Sequence, residues 1–115
     1  MAKSAALWEG RRAMTDNPAT SPEAYKAAAR QLLELDQLSE ASVFFALAGD
    51  DEGLSDIINK AAAEGNFFIF QGAAARLKNP KAVRRTQAET LLAAAEKNGR
   101  ALDSEKAAAY LKDNF

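Results

Sequence analysis

Any chemistry in this chain has to be built from serine, lysine, arginine and carboxylate side chains, because it contains no cysteine and no histidine. That removes thiolate metal sites, disulfides and the usual general base near neutral pH. A serine nucleophile activated by lysine needs the two in register on one helical turn. Ser55 with Lys60 and Ser104 with Lys106 do not have that spacing. The glycines, Gly10, Gly49, Gly53, Gly65, Gly72 and Gly99, are scattered and form no phosphate-cradling loop. Asp50-Asp51-Glu52 is the densest carboxylate cluster. Consecutive helical side chains diverge and the spaced ligands of a calcium loop are missing, so it reads as a helix cap and dipole partner. The expectation is a protein that is not an enzyme and carries no cofactor or metal.

Two other patterns bear on binding. Arg76, Lys78, Lys81, Arg84 and Arg85 form a basic segment, but residues 77–85 hold no aromatic that would stack on a base. Contact there would be with phosphate alone and blind to sequence, which argues against nucleic acid and leaves it the weakest alternative. Phe67-Phe68-Ile69-Phe70 says more. Residues on a helix turn by about 100° each, so four consecutive apolar side chains cannot share one stripe. Either neighbours sandwich this helix or part of it is a contact surface. Phe44 beside Phe45 poses the same alternative, and Trp8 is a further candidate for core, cap or interface anchor.

These groups must be positioned by helices. Alanine supplies 27 of 115 residues, whereas Val and Ile together supply five; alanine favours helix and β-branched residues favour strand. A chain 48% apolar and 27% charged suits one globular domain spanning 1–115. Ser21-Pro22-Glu23 starts a helix running to about Leu35, with Tyr25, Ala28, Ala29 and Leu32 on one stripe. Asp36-Gln37 breaks it. A second helix covers 38–48 and stops at Gly49; a third follows Asp50 with Leu54, Ile57, Ile58, Ala61 and Ala62 in helical register and stops at Gly65. Asn66 caps a fourth. Asn79-Pro80 opens a longer helix to about Lys97, Asn98-Gly99 ends it, and Asp103 or Ser104 starts a short last one. With a helix at about Ser4 to Met14 the total is seven: an N-terminal helix within 1–17 and pairs at 22–48, 51–78 and 80–113. No segment alternates as a strand would.

Neither a signal peptide nor a membrane-spanning run is visible, which gives a cytoplasmic expectation with no membrane partner. The net charge is −1, but residues 34–64 carry −7 and residues 76–100 carry +5. Those charges read first as solvated faces that neutralise one another within the fold, and otherwise as a steering field.

Residues 22–55 resemble a tetratricopeptide repeat. Tyr25, Ala28, Ala29, Leu32, Ala41, Phe45 and Ala48 stand where that pattern places aromatic and small residues, and Leu38-Ser39-Glu40-Ala41 stands at the helix junction. Glu64-Gly65-Asn66-Phe67 resembles the family's turn, although Phe70 occupies a small-residue position. Ile58, Ala61-Ala62 and Gly65-Asn66 are also similar to the middle of an ankyrin repeat, and an irregular helical bundle stays open as a third architecture.

The tetratricopeptide resemblance implies an all-α right-handed superhelix of antiparallel pairs. Its shallow groove, lined by the first helix of each pair, would hold a partner protein, as a peptide or helix. Groove positions would then include Glu23, Lys26, Arg30, Leu33 and Arg84, with the three cations facing partner carboxylates. The family's carboxylate-clamp asparagine is not in place, since Ala27 and Arg30 stand there. The other reading is a homodimer paired through exposed Phe68, Phe44 or Trp8.

Overall fold

A computed structural model describes residues 21–115, and within them the chain is all-α, with no strand. The helices are α1 (Pro22–Glu34), α2 (Leu38–Ala48), α3 (Asp51–Glu64), α4 (Phe67–Ala75), α5 (Arg85–Lys97) and α6 (Ala101–Asn114), with a 3-10 turn at Pro80–Ala82 before α5. The expected helix at Ser4 to Met14, with Trp8, lies outside the described residues. Among those described, no helix is long and apolar enough to cross a membrane.

Local chemistry sets most boundaries. Ser21 Oγ accepts from the Ala24 amide at 3.2 Å, with Pro22 in the first turn. Asp50 Oδ1 accepts from the Gly53 amide at 3.1 Å, and Asn66 Oδ1 accepts from the Ile69 amide at 3.2 Å. Four helices end alike: a left-handed residue is followed by an amide reaching back to the carbonyl five residues earlier. Gln37 thus bonds Leu32, Asp50 bonds Phe45, Asn66 bonds Ala61 and Arg100 bonds Ala95, each at 2.9 Å. Glycine supplies the left-handed residue in three of these turns, and Asp36 (φ 60°) does so in the first.

Two sequence expectations are corrected. Asn79-Pro80 does not open a long helix. Asn79 caps only the 3-10 turn, after which Val83 and Arg84 are extended and α5 begins at Arg85. The break lets the Val83 side chain turn inward, where it is 5% exposed. Gln87 caps the restart: its Oε1 accepts from the Arg84 amide at 2.8 Å and its Nε2 donates to Asn59 Oδ1 at 2.7 Å. The last helix is not short and does not start at Asp103 or Ser104. It starts at Ala101, and Asp103 is used elsewhere: its Oδ2 accepts from the Phe67 amide at 3.1 Å, capping α4 from a distance of 36 residues.

The helices pack as three consecutive hairpins, α1 with α2, α3 with α4 and α5 with α6. The second helices α2, α4 and α6 touch in order, and α3 also meets α5. Helix α3 is the hub, with Leu54, Ile57, Ile58 and Ala61 at 0–1% exposure. Small residues let backbones approach: a Cβ on Gly53 would lie 2.2 Å from the Phe45 ring, and one on Gly65 2.5 Å from the Ala95 amide nitrogen. The connections are tied across hairpins too. Asp51 accepts from the Lys78 and Asn79 amides at 3.0 and 3.3 Å, and Asn98 Nδ2 donates to the Glu64 carbonyl at 3.1 Å. The acidic run at Asp50 and Asp51 therefore works as cap and loop anchor.

Candidate protein-binding surface

Two of the three cations expected to line a groove, Lys26 and Arg30, are engaged within the chain. Arg30 on α1 bonds Asp56 on α3 at 2.9 Å and lies over the Phe45 ring, 5.1 Å from its centroid. Lys26 stands 3.8 Å from Asp50, and Lys60 bonds Asp36 at 2.9 Å, which raises the Lys60 pKa. These pairs lace α1 and its C-terminal turn to α3 and its N-cap. They draw on the acidic excess of residues 34–64, so part of the charge asymmetry is neutralised inside the fold. Leu33 is half-buried against the core, and Glu23 is exposed at the start of α1. Arg84 is exposed on the extended segment before α5. A partner carboxylate at Arg30 would have to displace Asp56.

The basic segment is spread along the α4–α5 connection. Arg76 folds back on the Gly72 carbonyl at 2.9 Å and Arg85 pairs with Glu89 at 3.4 Å, while Lys78, Lys81 and Arg84 are exposed.

Helix α4 answers the aromatic question. It is contacted by α2, α3 and α6, which bury Phe67 (5% exposed) and Phe70 (0%) and half-bury Ile69. The remaining arc carries Phe68, which is 54% exposed. Neighbouring helices thus cover most of the run and leave Phe68 exposed. Phe44 does not offer a contact face: at 2% exposure it sits in the core, with Tyr25 beside it at 5.9 Å between ring centroids. Its companion Phe45 is also fully buried, because α2 is covered on two sides.

Phe68 stands at the mouth of an open cleft of about 530 Å³ between α4 and α6. Phe67 and Tyr110 form its inner wall, and Lys106, Ala109 and Asp113 line the α6 side. The rings interlock edge to face: Phe67 meets Phe68 at 5.7 Å, and Tyr110 meets Phe67 at 6.3 Å and Phe70 at 5.5 Å. Such contacts hold the wall in place without filling the cleft. Partial burial desolvates the Tyr110 phenol and raises its pKa. The cleft thus offers an aromatic surface lined by one cation, Lys106, and one carboxylate, Asp113. Sequence reasoning singled out Phe68 but not Tyr110, Lys106 or Asp113. The available signal was the spacing of Lys106, Ala109 and Asp113, which places all three on one helical face.

Comparison with protein-family models, with curated proteins and with solved structures gives no match.

Proposed function

We propose that the chain is a non-catalytic protein-interaction module, similar in organisation to tetratricopeptide repeats, that receives a partner helix or peptide in the cleft between α4 and α6. The observation that carries this reading is Phe68: a large aromatic side chain, 54% exposed, packed edge to face against buried Phe67 beside half-buried Tyr110. Exposed aromatics set against rigid neighbours are the usual anchors of protein interfaces, because little side-chain entropy is lost when they are covered. The three-hairpin order supports the likeness to helical-pair repeats. The cleft is favoured over the first-helix groove because Lys26 and Arg30 already face Asp50 and Asp56.

The test is retention of proteins from an extract of the source cell by the immobilised chain, comparing wild type with Phe68→Ser and Arg30→Glu. Helix content of each variant is checked by circular dichroism. Phe68→Ser is expected to lose the retained partner while Arg30→Glu keeps it. Retention unaffected by Phe68→Ser, or lost only with Arg30→Glu, would overturn the cleft assignment.

A further inference from the structure

The α6 side of the cleft carries a charge pattern that complements itself. Lys106 and Asp113 are seven residues apart, two helical turns or about 10.5 Å along the axis, on the face that lines the cleft. Ala109 lies between them, and Leu102, 54% exposed, continues the same stripe one turn before Lys106. No ion pair within the described residues engages Lys106 or Asp113. Two such helices placed antiparallel about a two-fold axis near Ala109 bring Lys106 of each copy against Asp113 of the other. That is the reciprocity an isologous interface requires. Glu105 and Lys112, both exposed on one flank of the stripe, repeat it, since the same flanks meet in an antiparallel pair. The small Ala109 permits close approach at the axis, and Phe68 of each copy is left facing the α6 of the other.

We infer that the occupant of the α4/α6 cleft is a second copy of this chain, docked through antiparallel α6 helices with reciprocal Lys106–Asp113 pairs. This rests on reading the cleft as a protein-binding surface and names the partner. A patch built from one helical face and one aromatic belongs with small interfaces below about 1,200 Å² of total buried area, so association is concentration-dependent.

Sedimentation equilibrium over a wide concentration range tests it with Lys106→Glu, Asp113→Lys and the double exchange. Both side chains are exposed, and circular dichroism confirms that the variants keep their helices. Wild type is expected to dimerise, and each single variant to do so about tenfold more weakly, because the reversal acts at two symmetry-related pairs. A one-to-one mixture of the two single variants, and the double exchange alone, are expected to restore dimerisation, since both recreate opposite charges across the axis. A wild type that stays monomeric overturns the inference and leaves the heterologous reading to its Phe68 test. A dimer indifferent to either single variant places the interface elsewhere. Two weakened single variants that fail to rescue each other refute the antiparallel register.

Discussion

Gly65→Ala tests most directly how the helices are fitted together, and Gly99→Ala is its internal control. The two glycines share one backbone conformation, with φ of 73° and 69°, and each closes a helix with the same left-handed turn. Their surroundings differ. A Cβ at Gly99 meets nothing within 4 Å, whereas at Gly65 it would lie 2.5 Å from the Ala95 nitrogen, 2.7 Å from Ala95 Cα and 2.8 Å from the Ala94 carbonyl carbon. Those atoms are α5 backbone and cannot rotate aside. Holding alanine in the left-handed region costs about 1–2 kcal/mol at either site. Forcing the helices apart at Gly65 adds about 1–3 kcal/mol, the usual scale for overpacking. Gly99→Ala is therefore expected to lose about 1–2 kcal/mol and Gly65→Ala about 2–5 kcal/mol. Urea unfolding followed by circular dichroism measures both, with an unchanged m-value showing that the denatured state is not responsible. Equal losses at the two sites would refute the argument that the close α3–α5 approach depends on Gly65.

Three further outcomes follow from the same contacts. Gly53→Ala, which on propensity alone would favour helix by about 1 kcal/mol, is expected to destabilise, because its Cβ would lie 2.2 Å from the fully buried Phe45 ring; a rise in urea midpoint contradicts this. Asp103→Ala removes the cap on the Phe67 amide and the Arg100 partner at 3.1 Å, with an expected loss of about 1–2 kcal/mol; hydrogen exchange should quicken first at the start of α4, and unchanged protection there tells against the cap. Burial raises the Tyr110 phenol above its ordinary 10.0, so its contribution to stability is complete below pH 10 and is lost as pH rises through the higher folded-state value. The ultraviolet difference titration of wild type against Tyr110→Phe should show a midpoint above 10, and a midpoint at or below 10 means the ring is solvated.

The helical class and most boundaries were legible in the sequence because they depend on local chemistry. Ser21-Pro22, Asp50 and Asn66 cap within three residues of themselves, and Gly49, Gly65 and Gly99 end helices through bonds that span five. The buried stripe Leu54, Ile57, Ile58 and Ala61 was equally readable, since an evenly spaced apolar face has to meet a core. Where a residue's role is set by a distant neighbour, the local signal misled. Asp103 looks like the start of its own helix and instead caps α4. Asn79-Pro80 looks like the start of a long helix, but burial of Val83 interrupts it.

The candidate surface divides in the same way. The turn of about 100° per residue marked the run of residues 67–70 as too apolar for one stripe, whereas the shared face of Lys106, Ala109 and Asp113 acquired meaning only once α6 was seen to line the cleft. Sequence alone did not separate Phe44 from Phe68, two aromatics in similar apolar runs, one 2% and the other 54% exposed. That difference belongs to the neighbours: α2 is covered on both sides at Phe44, while Phe68 lines an open cleft between α4 and α6. Composition and turn chemistry determined that this chain makes short helices and where they stop, since those energies act within about one helical turn. Which faces stay open, and which cations pair within the chain, were decided only when helices far apart in sequence came into contact.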